Sequence, residues 1–171
     1  IPDLPPTTLP ENGSSILQEP FRGAFRGATW NAQALFARSP QRHFAKDHYL
    51  RRLLKEHDFL LVTETHSTEG TSLAWRPPRG YTGYWSHGTG TRAGVGIVVS
   101  DTFLAQFDMQ ATRWVEITPG RAAALKLRGA QGALDLFVVY FATGTPATLR
   151  QTQNENGEAR QSEEQSVRRQ R

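Results

Sequence analysis

Residues 59–67 read FLLVTETHS, five apolar or β-branched residues followed by a carboxylate at Glu64 and an imidazole at His66. A run that is apolar without alternation reads as a strand buried on both faces. The ends of such strands are also where a fold can hold reactive groups rigidly at a cleft. Two readings meet at Glu64. Either the strand stops where polar side chains reach water, or it stops in order to present a carboxylate at a site.

Upstream, GAFRGATWNAQ mixes small and aromatic residues from Gly23 and reads as a strand ending near Asn31. FAKDHYLRRLLKEH (44–57) then places Leu50, Leu53, Leu54 and His57 at helical spacing with charges opposite, which predicts a helix over 44–57. Strand, helix and strand in succession form a β-α-β unit, and its two strands end side by side at one sheet edge. That geometry would bring Asn31 next to Glu64.

Downstream the chain reads as strand after strand: YTGYWSH (81–87), AGVGIVVS (93–100), two pieces within WVEITPGRAAALKLRG, and ALDLFVVYFA (133–142). Thr118-Pro119-Gly120 and Gln131-Gly132 mark the turns between the last three. The fold class is therefore α/β of the α+β type, with mainly one mixed sheet and one main helix. Residues 1–22, rich in Pro, Ser and Thr, predict a flexible leader, residues 23–142 the domain, and residues 143–171 a polar tail, disordered or a frayed helix. The first residue is Ile, which predicts an internal fragment or a processed chain.

The 171 residues suffice for one domain, and no apolar run approaches the ~20 residues of a membrane-spanning helix. There are no cysteines, which excludes disulfides and thiolate metal sites. Lys plus Arg total 20 against 16 for Asp plus Glu, a formal charge of +4. Residues 20–60 hold Arg22, Arg26, Arg38, Arg42, Lys46, Arg51, Arg52 and Lys55 against Asp47, Glu56 and Asp58. Such a basic front half suits a phosphate backbone, or equally a solvated helix face.

SHGTGTRAGVGI (86–97) is rich in glycine but meets neither the Walker nor the dinucleotide spacing, so its glycines read as turn and packing residues. The five His residues (43, 48, 57, 66, 87) show no zinc spacing. The four Trp residues read as packing rather than as base-stacking platforms. Mg2+ is a different matter, because one or two carboxylates plus substrate phosphate can hold it. Glu64 with the amide of Asn31 fits that sparse pattern.

The order of motifs resembles a known family. ATWNAQALF (28–36), LLVTETHS (60–67), YWSHGTGTRAGVGIVV (84–99) and GRAAALKLRGAQGALDLFVVYF (120–141) look like the front half of the endonuclease/exonuclease/phosphatase superfamily. Within it, the motifs resemble those of the retrotransposon-type, apurinic-endonuclease and deoxyribonuclease I-like members. The resemblance implies a partial four-layered α/β sandwich and cleavage of phosphate esters with Mg2+ (or Mn2+). It implies Glu64 as the metal ligand with Asn31 beside it, and Tyr140 near the scissile phosphate. Arg92 would touch the substrate backbone, and His66 would support its loop on the substrate side.

The family's later Asp-x-Asn and Ser-Asp-His motifs do not occur in these 171 residues. The implied function is the N-terminal half of a Mg-dependent nucleic-acid phosphodiesterase, inactive alone. The alternative is a non-catalytic nucleic-acid-binding remnant. Kinship favours DNA over RNA or a phosphorylated small molecule. A half-sandwich would leave apolar surface on ALDLFVVYFA and FLLVTET, which predicts marginal stability and self-association through an exposed sheet.

Overall fold

Strand β1 (Gly27–Asn31), helix α1 (Pro40–Leu54) and strand β2 (Phe59–Thr63) form the β-α-β unit, in a computed structural model that describes residues 18–36, 39–88 and 93–141. β1 and β2 are parallel neighbours with Asn31 opposite Thr63, so their ends coincide. The helix begins four residues earlier than its apolar spacing predicts and ends at Leu54 rather than His57. Pro40 explains the start, since proline needs no hydrogen-bond partner in the first turn and presets the helical φ. His57 lies beyond the helix, its Nδ1 2.7 Å from the Leu53 carbonyl.

The chain continues through α2 (Glu69–Ala74), β3 (Tyr81–Ser86), β4 (Val95–Ser100), α3 (Asp101–Leu104), β5 (Arg113–Thr118), β6 (Ala122–Gly129) and β7 (Gly132–Val139). The class is α/β, but the strands divide between two sheets where one main sheet was expected. The first is mixed, in the order β1-β2-β4-β3, and the second is the antiparallel meander β5-β6-β7. The reason lies in β4. Val95, Ile97 and Val99 project from one face onto Leu125, Leu127, Leu136 and Val138 of the second sheet. Val98 projects from the other face, with Leu60 and Val62, onto Leu50 and Leu54 of α1. A strand apolar on both faces has to be covered twice, and here a helix and a sheet do so.

This second cover corrects one expectation about exposed surface. FLLVT is an inner strand, with Leu60 and Val62 fully buried, and it presents no apolar face. β7 alternates instead. Leu136 and Val138 point inward, while Phe137 and Val139 stay 53% and 43% exposed, as does Ile117 of β5 at 55%. The layers formed by the described residues are helix, mixed sheet and antiparallel sheet.

Several loop features follow from local chemistry. Residues 19–22, within the stretch expected as leader, lie along the β6–β7 hairpin, with Phe21 N–H donating to the Ala133 carbonyl at 2.8 Å. The Phe21 ring packs 4.9 Å from that of Phe107. The tryptophans pack against other rings as expected, with Trp75 edge-on to Trp85 at 5.3 Å. A Cβ at Gly96 would overlap the Trp85 ring, which accounts for glycine in that strand. No helix among the described residues is long and apolar enough to cross a membrane. Residues 1–17 and the 143–171 tail lie outside the described residues.

Asp47 ties α1 to α2. Its Oδ2 accepts from Arg51 Nε at 2.6 Å and its Oδ1 from Trp75 Nε1 at 2.9 Å. Burial alone would push this carboxyl up, but hydrogen bonds from Arg51 and Trp75, with the charges of Arg51 and His43, hold it below its ordinary value. A carboxyl depressed in the folded state stabilises above the ordinary carboxylate range, and that contribution fades as pH falls through the folded value. Asp47→Asn is therefore expected to cost about 1–2 kcal/mol at pH 7. The difference from the parent should shrink at pH 3, as chemical denaturation at the two pH values will show.

Candidate functional site

Glu64 follows β2 directly and takes a left-handed backbone, φ 52°. Non-glycine residues adopt this conformation rarely, and where they do, the surroundings impose it. Here the chain on both sides does so. Ala34 N–H donates to the Glu64 carbonyl at 2.7 Å, and Phe36 N–H to the Thr65 carbonyl at 3.0 Å. On the other flank, Thr65 N–H and His66 N–H reach the carbonyls of Gly94 and Ala93. The turn sets the carboxylate toward β1, where Asn31 Nδ2 donates to Glu64 Oε1 at 2.9 Å. Asn31 Oδ1 in turn accepts from Gln33 N–H at 3.1 Å.

The second sheet brings Tyr140 to the same carboxylate. It stands just past β7, its N–H donating to the Arg121 carbonyl at 2.7 Å. Burial and the nearby Glu64 carboxylate push the Tyr140 phenol above its ordinary range, with the Arg121 charge opposing them. The phenol is thus a neutral donor at neutral pH. The Arg121 guanidinium lies 5.7 Å from the centre of the Tyr140 ring.

Arg121 is placed by the turn read at Thr118-Pro119-Gly120. Its N–H returns to the Thr118 carbonyl, and Gly120 has φ 68°. Gly120 N–H donates to the buried Ser86 Oγ at 2.8 Å, and Gly94 N–H to the Gly120 carbonyl at 2.9 Å. Among the described residues the buried polar side chains are Thr65 and Ser67, in the loop that carries Glu64, and Ser86, at the end of β3. Thr65 and Ser67 share a 2.9 Å hydrogen bond, and Ser67 Oγ lies 2.9 Å from His87 Nδ1. Hydroxyls buried with their partners satisfied stiffen the loops that carry Glu64.

The structure therefore brings together three residues named from sequence, Asn31, Glu64 and Tyr140. His66, half-buried with φ 52°, uses its backbone to fasten the loop, and its ring makes no hydrogen bond among the described residues. Arg92 lies outside the described residues. Two further charges adjoin the site, Arg121 and Lys46. The Lys46 ammonium is held below its ordinary value by burial and by Arg42, while Glu64 acts in the opposite sense. No motif flagged either one. Lys46 was one member of a basic run, and Arg121 gained significance only once its turn met the neighbouring sheet.

Chemically, the cluster offers a hard anionic oxygen, an amide and a neutral phenol, open to solvent and bordered by cations. Among the described residues no three His, Asp or Glu side chains converge as a closed metal cage. A single carboxylate suits a hard divalent ion that keeps most of its waters and draws its other ligands from phosphate.

The Endonuclease/Exonuclease/phosphatase family profile matches residues 28–168. This chain belongs to that family. Among solved structures it is similar to an AP endonuclease, LMAP, from Leishmania major, with a TM-score of 0.57 at 16% identity, covering 77% of this chain and 48% of that one. It is also similar to a 3′ phosphatase, NExo, from Neisseria bound to product DNA hairpin, with a TM-score of 0.48 at 22% identity, covering 76% and 48%. The chain spans about half the length of these structures. No curated protein matches the sequence.

The coupling of Tyr140 to Glu64 can be tested by titration. In a spectrophotometric titration, with Tyr140→Phe identifying the signal, Tyr140 is expected to ionise above the ordinary tyrosine range near pH 10. Glu64→Gln should lower its midpoint, since it removes the charge, while burial keeps it above an exposed tyrosine. An unchanged midpoint in Glu64→Gln would refute the contact.

Proposed function

We propose that this chain is the metal-holding half of a divalent-metal-dependent phosphodiesterase domain that acts on nucleic acid, with DNA as the preferred substrate. The observation that carries the reading is the convergence of Asn31 and Glu64 from one sheet with Tyr140 from the other. Glu64 would hold Mg2+ or Mn2+, with Asn31 beside it. A bound divalent ion supplies charge neutralisation on phosphoryl oxygens, which eases attack at phosphorus. Glu64 contributes the anionic ligand, and Asn31 orients it without adding repulsion toward phosphate. Tyr140, kept protonated by its surroundings, donates a hydrogen bond toward a bound phosphate, and Arg121 adds positive charge beside it.

The sequence lacks the Asp-x-Asn and Ser-Asp-His motifs that would position the attacking water and assist the leaving group. Alone, then, the chain binds metal and nucleic acid without turning over. The retrotransposon-type kinship belongs to the same proposal and rests on the motif order across 28–141. So does association of two chains through the exposed residues of β5 and β7.

Mn2+ binding, followed by loss of the free-ion paramagnetic resonance signal, tests the site. The parent chain should bind Mn2+, and Glu64→Gln should bind it about tenfold or more weakly, a loss of roughly 1.4 kcal/mol or more. Equal affinity in both would refute the assignment. Supercoiled plasmid should be retained at low salt, released as salt rises, and not nicked by the chain alone. Retention unaffected by Glu64→Gln in a chain that binds no Mn2+ would favour the non-catalytic binding alternative.

A further inference from the structure

The loop between β1 and α1 uses its backbone groups in an ordered way. Its N–H groups point toward the site, with Ala32 donating to the Thr63 carbonyl, Gln33 to Asn31 Oδ1, Ala34 to the Glu64 carbonyl and Phe36 to the Thr65 carbonyl. Its carbonyls point the other way, to side chains of α1. Lys46 Nζ donates to the Ala32 carbonyl at 2.6 Å and also to the Gln33 carbonyl. His43, one helical turn earlier, has Nδ1 2.9 Å from the Leu35 carbonyl.

Between these two sets of bonds, Gln33 and Ala34 are held at φ 45° and 73°, conformations that neither residue favours. Such a backbone persists only where its surroundings over-determine it. An ammonium group has three donors and no acceptor, so it can grip two adjacent carbonyls at once. Methionine, of similar length, has no donor at all.

We propose that Lys46 is a positioning residue for the Asn31–Glu64 pair. By gripping the Ala32 and Gln33 carbonyls it keeps the Gln33 N–H aimed at Asn31 Oδ1. That bond decides which end of the Asn31 amide faces Glu64, leaving Nδ2 as the donor to Oε1. The consequence for metal binding rests on the site reading above, whereas the geometric claim stands without it.

Amide hydrogen exchange and the side-chain amide resonances of Asn31, followed by NMR in the full chain, separate the two. In Lys46→Met, Gln33 N–H and Asn31 Nδ2 are expected to exchange about tenfold faster or more, with amides of β2 such as Val62 unchanged. Lys46→Arg, which keeps paired donors, should retain most of the protection. Mn2+ affinity should fall in Lys46→Met by about tenfold, the usual effect of removing a group that orients a ligand.

Unchanged exchange at Gln33 and Asn31 in Lys46→Met would overturn the proposal. So would tighter Mn2+ binding, the result expected if Lys46 acted only by repelling the ion. If Lys46→Met does not fold, Lys46→Arg decides: retained protection supports the role, and selective loss at Gln33 overturns it. A parent chain that binds no Mn2+ would refute the metal reading while leaving the exchange result to judge Lys46.

Discussion

The structure depends on two strands that are apolar on both faces. β4 buries Val95, Ile97 and Val99 on one side and Val98 on the other, and β2 does the same with Phe59 against Leu60 and Val62. Each fully buried aliphatic side chain contributes about 1.5–3 kcal/mol, and only if it is covered. No single layer can cover both faces, so the helix that follows β1 must return over one face and the β5-β6-β7 meander over the other. The position of every other element follows from that requirement. α1 crosses between parallel β1 and β2, β3 extends the sheet beside β4, and the second sheet lays its inner residues across the first.

Stacking the two sheets has a consequence at their common edge. The end of β2, the start of β4, the β5–β6 turn and the residue after β7 all meet there, although they are far apart in sequence. The backbone at that edge is unusually constrained. Glu64, His66 and Ala93 are left-handed, as is Gly94, where a Cβ would overlap Thr65 Oγ1. Several of the bonds that hold these turns run from one loop to another, so each loop's conformation depends on its neighbours. The carboxylate at the centre is therefore oriented by the fold as a whole.

Charge is arranged with similar economy. The basic front half does not become a uniform basic face. Arg51 is paired with Asp47, Arg22 with Glu19, and Lys46 is turned onto backbone carbonyls. Exposed pairs such as Arg22–Glu19 contribute little to stability, but they remove those charges from any phosphate-binding surface. One of the cations that adjoin the site, Arg121, comes from outside the basic run altogether. A formal charge of +4 is therefore a poor guide to where an anion would be met.

The sequence by itself determined the class of fold, the β-α-β unit, the strands and turns of the meander, and the pairing of Asn31 with Glu64. These are local or nearest-neighbour properties. Apolar runs of strand length, helical spacing, Pro-Gly punctuation and a parallel crossover settle them without knowledge of the rest. The helix start was missed because Pro40 marks it by backbone chemistry while its apolar spacing begins later. Only the tertiary structure decided that the strands form two sheets, that FLLVT is covered on both faces, and that Tyr140 and Arg121 arrive at Glu64 from the opposite layer. It also decided that Lys46 serves the β1–α1 loop rather than solvent. These depend on contacts between segments that no periodicity records, because a strand's pattern shows that a face must be covered but not what will cover it.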